Sequence, residues 1–211
     1  MSISLLDARA GSPPTASEML RRHGYEHGKE ALRVLLHEWE RWSAEFLEGH
    51  LSYPVLAYFR SQHDNQSWLA ALTAILDTSA LIMAGLEGTC ERQAELTFAM
   101  SRHAVVDLSL VFNTRPREQD PDRLPPLMLE ELRKLLAGSG QRLRDGDTFD
   151  RKLRELRLMY EPYVNALSSH FQISLPPWIG DVNIMDNWQG SFWEQRIKNS
   201  NPLGESRSKH F

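Results

Sequence analysis

Apolar positions recur at helical spacing along most of the chain, and runs of strict alternation are absent. Within residues 29–51, Leu32, Leu35, Leu36, Trp39, Trp42, Phe46 and Leu47 follow the i, i+3, i+4, i+7 pattern of a broad amphipathic helix that ends near Gly49. Ser52 followed by Pro54 resembles an N-cap with proline in the first turn, so a second, short helix is predicted from that point. A strongly apolar segment, WLAALTAILDTSALIMAGL at 68–86, predicts a helix buried on nearly all sides, capped by Asp64 or Asn65 and stopped at Gly85. Thr89 is expected to open another helix, with Leu96, Ala99, Met100, His103, Val106, Leu110 and Val111 on one face. These short connections imply antiparallel neighbours and hence a bundle.

At either end the pattern changes. Residues 1–16 lack a basic n-region before a sustained apolar run and are read as a disordered leader, with Ser17 capping a short helix that Gly24 closes. The polar, proline-rich stretch 113–126 predicts a long loop. It leads to a helix over 127–136 and, after a Gly/Ser break, to one long helix from Asp147 or Thr148 to His170, kinked at Pro162. LPPW at 175–178 ends regular structure, and 179–211 is expected to be a flexible tail that carries Trp188, Phe192, Trp193 and Ile197. The expectation is therefore an all-α protein: one bundle-like domain of about six or seven helices over 17–178, between flexible ends.

Composition narrows the classes of partner. The chain has 211 residues, enough for one domain with a sizeable core, and 41% of them are hydrophobic. A net charge of −4 argues against a nucleic-acid partner, which calls for a concentrated basic surface. Cys90 is the single cysteine; it excludes an internal disulfide and fits a reducing, cytoplasmic compartment. Segment 68–86 has the length of a bilayer span, but Asp77 at its centre would cost about 2.5–3.5 kcal/mol there. It is read as a core helix, with no transmembrane segment in this chain.

Two sets of polar residues are candidates for chemistry or for bracing. His37, His63, Asp64 and Asp107 run in the order His, His-Asp, Asp, the order of the metal-dependent HD phosphohydrolases, in which such a set activates water against a phosphoester. Against that alternative, His63 and Asp64 fall at a joint between helices, where Asp64 and Asn65 are natural caps. A carboxylate-bridged dimetal bundle is not supported, because Val34 and Met100 stand where Glu-x-x-His pairs would place glutamates before His37 and His103. The preferred reading assigns no catalytic residue, metal or cofactor. Asp77 and Asp107 lie on otherwise apolar helices and need partners, for which Arg60, His63, Arg102 and His103 are the candidates in a structural polar network. The basic run 141–162 alternates its arginines with acids at helical spacing, as on a solvated face.

The stretches WERW, HLSYPVLAYFRSQHDNQSW and YEPYVNAL with LPPW resemble the cytoplasmic C-terminal helical region of bacterial two-transmembrane potassium-channel-like proteins, over most of residues 20–178. No pore helix or TVGYG-like filter occurs in the chain, so the resemblance does not imply channel activity. It implies a non-enzymatic cytosolic regulatory or assembly domain, a homo-oligomer at the inner face of the membrane with a channel subunit as possible partner. Trp39, Trp42, Tyr58, Phe59 and Trp68 would then form core or subunit contacts. A helical sensor that binds an apolar ligand beside the buried helix is a further alternative.

Overall fold

The computed structural model describes residues 3–25, 27–58, 67–88, 90–118 and 121–180. Among them are eight α-helices and no strand: α1 (Ile3–Ala10), α2 (Ala16–Arg22), α3 (Gly28–Ser52), α4 (Trp68–Gly85), α5 (Glu91–Val111), α6 (Pro126–Gly138), α7 (Asp147–Leu158) and α8 (Glu161–Phe171). The all-α, bundle-like class read from the hydrophobic pattern is the class observed.

Helix α4 is the axis of the core. It is long and apolar enough to cross a membrane, yet 94% of it is buried inside the fold by α2, α3, α5, α7 and α8. Two of its hydroxyls are satisfied within the helix: Thr73 and Thr78 donate to the carbonyls of Leu69 and Ala74, each at 2.7 Å, while the buried Ser79 hydroxyl has no hydrogen-bond partner among the described residues. Asp77, fully buried, is the one ionisable side chain of the helix and needs a partner from elsewhere. The helix starts at Ser67, whose hydroxyl accepts from the Ala70 amide at 2.9 Å. Ser67 thus holds the capping position expected of Asp64 or Asn65, both of which lie outside the described residues.

Helices α3 and α5 form the most extensive helix pair, and small polar residues allow their close approach. Ser43 and Ser101 share a hydrogen bond of 3.0 Å, and Thr97 donates to the Leu36 carbonyl. The face of α5 that turns inward is therefore Ala94, Thr97, Phe98, Ser101, Ala104, Val105 and Leu108. The face that the apolar spacing picks out is not this one: Leu96, Ala99, His103, Leu110 and Val111 are exposed. The pattern misled because α5 is apolar on two sides, and close helix packing selected the side with the smaller residues.

Four other expectations are revised. The leader contains α1, whose Leu6 and Ala10 are fully buried, because an apolar turn that docks on α2 and α4 recovers the entropy lost on ordering. Thr15, not Ser17, caps α2 by accepting from the Glu18 amide, while Ser17 accepts from the amide of Gly180. Ser52 ends α3, and Pro54–Tyr58 is a single 3-10 turn. The predicted long C-terminal helix is broken rather than kinked: Met159 and Tyr160 interrupt it, and Pro162 sits in the first turn of α8, where its missing amide costs nothing. Of the aromatic residues expected at contacts, Trp39 and Trp68 are core, Trp42 is partly buried, Tyr58 is exposed, and Phe59 lies outside the described residues.

Two histidines link the fold to pH. Nδ1 of His23 lies 2.7 Å from the Met19 carbonyl and Nδ1 of His50 lies 2.7 Å from that of Phe46, so each neutral ring donates from Nδ1. Burial lowers both pKa values from the ordinary 6.5. The unfolded chain then binds protons first, and stability is lost as pH falls through that ordinary value. The thermal midpoint is expected to drop between about pH 7.5 and 5.5, and less so in His23→Gln/His50→Gln. An equal drop in the double variant would assign the effect to other groups.

Candidate functional site

Asp77 is placed by the middle of α4, facing the loop before α6 and the break between α7 and α8. Arg123 from that loop reaches it with two nitrogens, Nη2 to Oδ2 at 2.6 Å and Nη1 to Oδ1 at 3.3 Å. The Tyr160 hydroxyl donates to the same carboxylate. The second acid, Glu161 at the start of α8, accepts from Arg123 at 3.2 Å and from Arg157 of α7. Arg157 in turn holds Asp122. The result is a chain of charges, Asp77, Arg123, Glu161, Arg157 and Asp122, running from the core to the surface.

The LPPW segment closes this chain. The Pro176 carbonyl accepts from Arg123 at 2.9 Å, and the fully buried Trp178 ring lies 5.6 Å from both guanidinium carbons. The Trp178 carbonyl also accepts from the Ser17 amide, which ties the end of the described chain to α2. Helix α4, the loop before α6 and the break between α7 and α8 therefore meet at Asp77, and α7, α8 and the C-terminal segment join them through Arg123 and Glu161.

Electrostatics follow from burial. Burial opposes the charge on Arg123, but Asp77, Tyr160 and Glu161 outweigh it and hold its pKa above the ordinary arginine value. Burial raises Glu161, against the two arginines that favour its charged form. Tyr160 is pushed well above 10.0 by burial and by Asp77, so it remains a phenol that donates. Arginine does not exchange protons near neutrality, and each carboxylate already faces a guanidinium. The arrangement braces helices.

An open cleft of about 620 Å³ borders this cluster, lined by Arg117, Asp122, Arg123, Asn165, Ser168 and Pro176 among others. Its side chains are largely engaged with the protein itself. Asn165 donates to the Arg117 carbonyl, Arg117 to the Ser169 hydroxyl, and Ser168 to the Ile173 carbonyl.

The residues singled out in the sequence are dispersed. His37 lies 3.7 Å from Glu40 on α3, and Asp107 lies 3.5 Å from His103 on α5; both are local pairs on outward surfaces. His63, Asp64 and Arg60 fall outside the described residues. Among the described residues no group of three metal-ligating side chains comes together. In the polar network Asp77 is central, but its partners are Arg123 and Tyr160 instead of Arg102 or His103. Arg102 donates to the Met159 carbonyl on the surface. The signal that points to Arg123 is faint: it is one of three arginines in the loop 113–126, 46 positions beyond Asp77. No protein-family model, curated protein or solved structure matches the chain.

Proposed function

We propose that the protein is a non-enzymatic, self-associating regulatory or assembly module, of the kind suggested by its likeness to the cytosolic region of potassium-channel-like proteins. One observation carries the reading: large apolar side chains stand in solvent around the connection between α3 and α4, where Tyr53, Val55, Leu56 and Tyr58 are all exposed. Tyr58 extends this surface to Phe112 at the end of α5, at 5.8 Å between rings. Continuous apolar surface of this kind marks sites that a partner covers. Polar density elsewhere supports the same reading, since the Asp77 cluster is spent on holding helices.

Light scattering on the purified chain is expected to give an integral multiple of the single-chain mass. A single-chain mass at every concentration would overturn self-association. The phosphohydrolase alternative on His37, His63, Asp64 and Asp107 would replace the reading if protein purified without chelator held a stoichiometric divalent ion that His63→Ala removed.

A further inference from the structure

We infer that the outward face of α5 is the seam through which two copies of this chain pair, side by side and in parallel. The inference rests on the self-association reading and assigns the pairing to α5, a surface separate from the exposed Tyr53, Val55, Leu56 and Tyr58. Leu96, Ala99, His103, Val106 and Leu110 are spaced alternately by three and four residues, the a/d positions of a heptad pattern sustained for five layers. Such a stripe on a helix already packed by its opposite face needs a second cover. Here it has none among the described residues: Leu110 is 72% exposed and Leu96 39%, while Val106 is half-buried.

The charges beside the seam select the occupant and its direction. Arg102 and Asp107 flank the stripe five residues apart, at the g position of one heptad and the e position of the next. In a parallel pair those positions meet across the seam, so Arg102 of each copy faces Asp107 of the other, twice by symmetry. An antiparallel pair matches g with g and e with e. In the registers that keep most of the seam paired, Arg102 then meets Arg102 or Ser109, and Asp107 meets Met100 or Gln93, with no opposite charge. Parallel pairing also stacks each seam residue on itself, with His103 as the single polar layer that fixes register. In the isolated chain Asp107 faces His103 along its own helix, and Arg102 is anchored through Nε to the Met159 carbonyl at the edge of the stripe.

The test compares the full chain with Leu96→Glu/Leu110→Glu, two exposed positions, by light scattering, with circular dichroism confirming the helix content. The mass is expected to halve, while Leu127→Glu on the exposed side of α6 leaves it unchanged. In a Cys90→Ser background, mild oxidation of Leu96→Cys alone and of Leu110→Cys alone should each give disulfide-linked dimers. Cross-linking only on mixing the two would overturn the parallel arrangement. A wild-type oligomer whose mass survives the double glutamate change would leave self-association standing and overturn this seam. The same would hold if that variant kept its mass but lost flotation with phosphatidylglycerol vesicles, since the stripe would then cover a bilayer. A wild-type single-chain mass would overturn both proposals.

Discussion

Asp77→Ala is expected to destabilise the fold by about 3–5 kcal/mol, the usual consequence of leaving a buried charge without its partner. The residue lost is small, but Arg123 would remain, with its side chain only 5% exposed and its main counter-charge gone. Glu161 offers partial compensation from the other side, and the Tyr160 hydroxyl would lose its acceptor. Urea unfolding followed by far-UV circular dichroism measures the effect. A cost below about 1 kcal/mol would mean that the cluster is not buried as described. Asp77→Leu/Arg123→Met should recover much of the loss, because replacing both ions by apolar groups of similar volume removes the desolvation cost together with the attraction.

Trp178→Ala should rank beside it, at about 3–5 kcal/mol, as for other fully buried aromatic side chains. The indole fills space over two guanidinium groups, and its backbone carbonyl is the tie between the C-terminal segment and α2. Removing the ring leaves a cavity and admits water to the Arg123 and Arg157 ion pairs, which weakens them by raising the local dielectric. Trp178→Phe should cost distinctly less, since a flat ring remains against the guanidinium planes. Equal losses in the two variants, measured by the same unfolding experiment, would show that ring contact with the arginines is unimportant.

Much of the architecture is legible in the sequence alone. The 3.6-residue period over 29–51 and 91–111, and the uninterrupted apolar length of 68–85, point directly to α3, α5 and α4. Periodicity is a local property, and these helices are long enough for it to dominate. Shorter elements were legible only in part. Ile3–Ala10, at eight residues, is too short to order itself, and it folds because α2 and α4 offer it a surface. The proline at 162 was recognised as an interruption, but whether a helix bends or breaks depends on what the neighbouring turn can bond to. Here Arg117 supplies an amide to the Pro162 carbonyl, and Tyr160 turns inward to Asp77.

The polar site was legible only as a need. An aspartate in the middle of an apolar helix must find a positive or donating partner, and that much follows from the cost of burying a charge. Which partner it finds depends on loops brought together from 46 and 83 positions away, at distances over which sequence spacing carries no geometric information. Arg60, His63, Arg102 and His103 were nearer in the chain, yet proximity along the chain is not proximity across a bundle. The two-sided character of α5 has the same origin. By itself the sequence determined that the protein is helical, that its fourth helix is buried, and that Asp77 must be compensated, because each follows from local periodicity or from the energy of one side chain. Only the tertiary structure decided that Arg123 and Tyr160 compensate it and that Leu96, His103 and Leu110 face outward, because helix packing chooses among faces according to the shape of the neighbours.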